Sequence, residues 1–130
     1  MTPPVQPGSP IPLAAPGLRL VQEPLGVSGA VLSASGELDI ATSPELRASI
    51  DAAFAAGINR LVIDLDELAF LDSVAVAVLL HARRQLGEGG RMAVVVGPDS
   101  YARLIFEVAG LSHRLGVLPT RAEAIVHVSP

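Results

Sequence analysis

The fold is decided by residues 61–80, which read LVIDLDELAFLDSVAVAVLL. This stretch begins with a short apolar segment, Leu61–Leu65, that predicts a buried strand despite its one aspartate. A second apolar run starts at Val74. Its alternation of β-branched and small residues fits a strand locally, whereas its continuation to Gln85 is too long for a typical strand and favours a helix. A buried strand followed by a helix is one repeat of an α/β fold.

Two strands and a helix are predicted upstream of this stretch. Leu18–Glu23 and Ala30–Ser35 are apolar segments separated by proline and glycine, which indicates a hairpin. The helix begins at Thr42 or Ser43 as the N-cap, because Pro44 then falls in the first turn.

Alternation of strands and helices continues downstream. Arg91–Val96 predicts a buried strand, and the next helix ends at Gly110 in a Schellman motif. Leu115–Leu118 predicts a short strand, and a capping box from Thr120 to Glu123 opens a last helix. The predicted fold class is therefore α/β, with a mixed, largely parallel sheet that has an N-terminal hairpin and is covered by about four helices.

Composition excludes several classes of function. The chain has 130 residues, of which 50% are hydrophobic, and this suffices for one buried core. Its net charge is −4 and all nine basic residues are scattered arginines, so we expect no nucleic-acid partner. There is no cysteine, and the three histidines lack the spacing of metal ligands. We therefore expect neither a metal site nor a cofactor.

Residues 1–16 differ from the rest of the chain. They contain six of the eleven prolines, which predicts a disordered tail followed by one folded domain over residues 17–130. The start of the chain lacks a signal-peptide pattern, and the longest apolar run is too short to span a membrane. We therefore expect a cytoplasmic protein with no membrane partner.

Four segments in order resemble the STAS domain of bacterial anti-sigma factor antagonists. They are GELD at residues 36–39, LAFLDS at 68–73, RLIF followed by GL within 103–111, and EAI at 123–125. The resemblance implies a STAS fold and a binding protein, not an enzyme, that is a monomer when free. It also implies that the protein binds an anti-sigma factor with serine-kinase activity and releases the sigma factor. Phosphorylation would end the binding, and a phosphatase would restore it.

The resemblance places the phosphoacceptor at Ser73, directly after Asp72 at the start of the second helix. A helix N-terminus has free N–H groups and partial positive charge, so it tolerates a phosphate well. From position alone, either side chain also fits a simple helix cap. The resemblance implies that Asp39 lies near this serine and contacts the partner, whereas a turn aspartate bonding its own backbone is the alternative. The other predicted partner contacts are Asp72, Val74, Ala75, Val76 and Ala77.

Two other functions are compatible with some of these residues. Val74 and Ala75 stand where the family has a second hydroxyl residue and a glycine, and this departure fits a non-phosphorylated STAS scaffold subunit of a stress-signalling or lipid-transport complex. A serine hydrolase is disfavoured because the G-x-S-x-G motif is missing. In a helix, His81 would also lie about 12 Å from Ser73, beyond hydrogen-bond range.

Overall fold

The predicted N-terminal hairpin is present in the computed structural model, which describes residues 17–130. Its strands are β1 (Leu18–Leu25) and β2 (Gly29–Leu38), paired antiparallel along their length. Gly26 supports the tight turn between them with a φ of 67°, which favours glycine. The predicted tail, residues 1–16, lies outside the described residues.

Helices and strands alternate after the hairpin. The five strands lie in the order β1-β2-β3-β4-β5, and every pair after the hairpin is parallel. This confirms the mixed, largely parallel sheet. The four predicted helices are present with a short additional one, α4. The elements are α1 (Ser43–Ala55), β3 (Arg60–Leu71), α2 (Ser73–Leu86), β4 (Arg91–Val95), α3 (Tyr101–Val108), α4 (Ser112–Leu115), β5 (Val117–Leu118) and α5 (Arg121–Val128).

Helices cover both faces of the sheet. Successive residues of a strand point to opposite faces, so neighbouring residues of one strand enter different core clusters. In β3, Leu61 and Ile63 belong to the larger core cluster, which also contains residues of α1, α2 and α3 such as the fully buried Phe106. Val62 belongs to a second cluster with Ala124 of α5. A strand buried on both faces reads as a nearly continuous apolar run, which explains the sequence pattern of this segment.

β3 is longer than the predicted Leu61–Leu65. It continues to Leu71 and stays paired with β2 through two register shifts, which lie between Ser33 and Ser35 and between Gly36 and Glu37. The residues directly after Leu65 are polar and exposed, so the sequence pattern does not predict this extension of the strand. The extension is determined by pairing with β2, which is distant in sequence. The extension delivers the chain directly to α2, and the ambiguous run from residue 74 is helical.

Two predicted helix boundaries are confirmed. At the end of α3, the Leu111 N–H donates to the Phe106 carbonyl at 2.9 Å, and Gly110 has a φ of 69°, as a Schellman motif requires. At the start of α5, the Thr120 hydroxyl accepts the Glu123 N–H at 3.2 Å.

Replacing Gly110 with alanine is expected to lower the free energy of unfolding by about 1 kcal/mol, because an L side chain is strained at this positive φ. Gly89 provides the matched control, since its φ is not positive and a Cβ there would meet nothing within 4 Å. Urea unfolding of Gly110→Ala and Gly89→Ala measures the difference. Equal stability of the two variants would contradict the role given to Gly110.

Candidate functional site

The first turn of α2 is capped by Asp72. Its Oδ1 accepts the N–H groups of Val74 at 3.0 Å and Ala75 at 3.1 Å. Ser73 is the first residue of the helix, is exposed, and takes no part in these capping bonds. The cap and the serine are therefore two different side chains, and the serine lies at an accessible corner between β3 and α2.

The same aspartate joins the end of β2 to the start of α2. Its Oδ2 accepts the N–H of Ile40 at 3.1 Å, a residue 32 positions earlier in the chain. Its own N–H donates to the Leu38 carbonyl at 3.1 Å. These bonds join the loop that follows Leu38 to the residue directly before Ser73. Both carboxylate oxygens of Asp72 therefore accept hydrogen bonds at the junction between β2 and α2.

Asp39 forms a turn with its own backbone. Its Oδ1 accepts the N–H groups of Ala41 at 2.9 Å and Thr42 at 3.0 Å. Thr42 stands at the N-cap of α1, but its hydroxyl makes no capping bond and instead donates to the Glu37 carbonyl at 2.9 Å. The Ser43 hydroxyl donates to the Asp39 carbonyl at 2.6 Å, so both neighbouring hydroxyl groups are engaged and buried.

The predicted partner contacts on α2 divide between two faces of the helix. Val74 is 38% exposed and Ala77 is also exposed, so both are available at the surface. Ala75 is fully buried and Val76 is 8% exposed, and both belong to the main core. The contact role predicted for these two residues requires a correction: they pack α2 onto the sheet and offer no docking surface, because consecutive helical residues point in different directions.

Sequence patterns did not single out three exposed apolar residues: Ile40, whose N–H bonds to Asp72; Phe70, three residues before Ser73 in the chain; and Tyr101, which stacks on Phe70. Ile40 is 73% exposed, Phe70 is 41% exposed and Tyr101 is 55% exposed. The rings of Phe70 and Tyr101 stack with their centroids 6.2 Å apart. We call Ile40, Phe70, Val74 and Tyr101 the apolar rim. No local pattern identifies Phe70 as exposed, because it lies in the part of β3 beyond the predicted strand Leu61–Leu65.

This arrangement is suited to binding a protein. An exposed hydroxyl lies at the positive end of a helix, beside apolar side chains that can exclude water from a contact. Within residues 17–130, no three histidine, aspartate or glutamate side chains are grouped so as to hold a metal ion. No helix in that part of the chain has the length and apolar character needed to cross a membrane.

Comparison with known proteins gives consistent matches. The STAS domain family model matches residues 20–124. The anti-sigma-F factor antagonist RsfB of Mycobacterium tuberculosis is 31% identical over 99 residues, which cover 76% of this chain and 80% of RsfB. The crystal structure of an anti-sigma factor antagonist from Mycobacterium paratuberculosis matches with a TM-score of 0.79 and 32% identity, covering 89% of this chain and 98% of that one.

A second similar protein of known structure is SpoIIAA, solved in two forms. The unphosphorylated form, described as an anti-sigma factor antagonist, matches with a TM-score of 0.71 and 26% identity, covering 82% of this chain and 93% of that one. The phosphorylated form, from Bacillus, matches with a TM-score of 0.67 and 27% identity, covering 85% of this chain and all (100%) of that one.

Proposed function

This chain belongs to the STAS domain family, and on that premise we propose that it is an anti-sigma factor antagonist controlled by phosphorylation of Ser73. The observation that supports this most directly is the exposed serine at the start of α2, beside a separate capping aspartate. Similarity to RsfB and to SpoIIAA, which has been solved with and without phosphate, supports the same conclusion.

In the proposed cycle, the unmodified protein docks on its anti-sigma factor through the apolar rim and Ala77, and the sigma factor is released. The anti-sigma factor then acts as a serine kinase. The Ser73 hydroxyl oxygen attacks the γ-phosphorus of ATP, the bond to the bridging oxygen breaks, and ADP leaves. The hydroxyl proton passes to a base of the kinase. A phosphatase hydrolyses the phosphoserine, so this chain is a substrate and a binding partner, not a catalyst.

Phosphate affects docking more than folding in this proposal. A phosphoserine adds about −1.5 to −2 charges near neutral pH. Within the domain, the positive helix end attracts that charge and the Asp72 carboxylate repels it, so the two effects partly cancel. In a complex, the same charge would have to lose water beside the apolar side chains of Val74 and Ile40. The modification therefore opposes docking while leaving the core intact.

Phosphosite mapping tests the proposal. After incubation with a candidate anti-sigma kinase and ATP, mass spectrometry is expected to find phosphate on Ser73 and none on Ser73→Ala. Ser43→Ala is the control and is expected to keep the label, because the Ser43 hydroxyl is buried and bonded to a backbone carbonyl. Label on another residue, or none with any cognate kinase, would contradict the proposal.

The second candidate function is a STAS scaffold subunit without a phosphate switch. It is favoured by one observation, the pair Val74 and Ala75 after the serine in place of a hydroxyl residue and a glycine. The same experiment separates the two functions, because a scaffold subunit would bind its partners yet remain unmodified at Ser73.

A further inference from the structure

Two arginines lie side by side at the end of the sheet opposite to Ser73. Arg60 is the first residue of β3 and Arg91 is the first residue of β4, and they are direct partners in the parallel register. Both therefore project to the same face of the sheet, the face covered by α5. Like charges directly opposite each other on neighbouring strands destabilise a sheet. The position of Arg60 directly beside Arg91 is therefore unfavourable unless a negatively charged group offsets the repulsion.

Both guanidinium groups are held in place by the backbone. Arg60 Nη2 donates to the Leu25 carbonyl at 3.0 Å, and Arg91 Nη1 donates to the Ser129 carbonyl at 2.6 Å. A Cβ added at Gly26 would lie only 2.9 Å from Arg60 Nη2, so a glycine in the hairpin turn makes room for this group. Each guanidinium has five N–H donors, so most remain for another acceptor.

Neither arginine has a carboxylate partner within residues 17–130. Arg121 shows the contrast, since its Nε pairs with Asp64 at 3.0 Å and its Nη1 with Glu23 at 3.6 Å. Residues 1–16 contain no aspartate or glutamate at all. Within residues 17–130, the two neighbouring positive charges thus lack a side-chain counter-ion, although the chain is acidic overall.

A cleft of about 510 Å³ opens at these arginines. Its remaining lining consists of the hairpin turn, the starts of the neighbouring strands and the last residue: Val27, Ser28, Asn59, Gly89 and Pro130. Its size suits a small molecule, and the Asn59 amide and Ser28 hydroxyl add polar groups beside the two cations.

We propose that this cleft binds a phosphate-bearing small molecule, whose phosphoryl oxygens accept hydrogen bonds from both Arg60 and Arg91. Arginine suits this ligand because its planar fork matches phosphate oxygens in pairs. A bound dianion would also neutralise the repulsion between the two guanidinium groups. The site is remote from Ser73 and does not depend on the function proposed above.

Titration of the isotope-labelled protein with inorganic phosphate and pyrophosphate tests the proposal by NMR. At constant ionic strength, we expect saturable shifts of the backbone amides of Ser28, Asn59 and Arg91. Arg60→Gln and Arg91→Gln are each expected to weaken binding about tenfold, the loss typical of one charged hydrogen-bonding partner. Arg47→Gln is the matched control: it removes the same charge from an exposed site on α1 and should leave binding unchanged.

Lysine variants keep the test valid if glutamine disturbs the hairpin. Arg60→Lys and Arg91→Lys retain the charge but lose the fork, so each is expected to fall between the wild type and its glutamine variant. Thermal unfolding verifies that every variant is folded. Shifts that do not saturate, or that persist equally in both glutamine variants, would overturn the site. Binding of citrate without binding of either phosphate probe would overturn the choice of ligand.

Discussion

Ser73→Glu is expected to bind the anti-sigma factor about a hundredfold more weakly than the wild type, while Ser73→Ala binds within about threefold. The serine lies beside Val74 and Ile40, whose exposed apolar side chains would be covered in the complex. A carboxylate added there would lose water without gaining a partner. Burial of an unpaired charge costs several kcal/mol, and about 2.7 kcal/mol already corresponds to a hundredfold change.

Calorimetry of the purified pair measures this effect. Val126→Glu serves as the control, because Val126 is 74% exposed on α5, which covers the opposite face of the sheet. That variant adds the same charge and is expected to bind normally. The unfolding free energy of Ser73→Glu should stay within about 0.5 kcal/mol of the wild type. If Ser73→Ala and Ser73→Glu bind alike, charge at this position is not the switch.

Asp72→Ala is expected to lower the free energy of unfolding by about 2–3 kcal/mol, a large loss for one surface residue. The substitution removes the acceptor for the Val74 and Ala75 N–H groups and the acceptor for the Ile40 N–H. Ala75 is fully buried, so its N–H has poor access to water as a replacement. The start of α2 and the GELD loop would both loosen.

Urea unfolding compares this variant with two others. Asp72→Asn keeps an acceptor for the cap and is expected to recover about half of the loss. Asp51→Ala removes an exposed carboxylate from the middle of α1 and should change stability by less than about 0.5 kcal/mol. A loss for Asp72→Ala no greater than that of Asp51→Ala would show that the junction contributes little to the fold.

Much of the fold is encoded in local patterns. The Schellman motif at Gly110 and the cap at Thr120 were predictable because each depends on a few adjacent residues and a known backbone geometry. The far end of β3 was not predictable, because its exposed residues pair with a strand that is distant in sequence. To predict the helix from residue 73, the length of the apolar run had to be considered as well as its pattern. The reason is that β-branched residues at 74, 76 and 78 also suit a strand.

The contacts around Ser73 could be predicted only in part. The family resemblance points to Ser73 and Asp39 as candidates, yet the bond from Ile40 to Asp72 links residues that no local pattern connects. The same limit applies to Ala75 and Val76, since an all-apolar helix does not reveal which side faces the sheet. Packing against neighbouring elements decides that orientation, and it is a property of the assembled domain.

The divided use of the Asp72 carboxylate has a consequence for the specificity of a kinase. One oxygen caps the helix that begins at Ser73. The other oxygen bonds to the loop that carries Ile40, whose side chain is exposed and accessible to a partner. In the proposed switch, an enzyme that contacts Ile40 therefore influences the orientation of the serine as well as its access. A kinase would then distinguish related STAS domains in one cell by the loop that carries Ile40, which is far from Ser73 in sequence. Exchanging that loop between two domains would exchange the kinases that modify them.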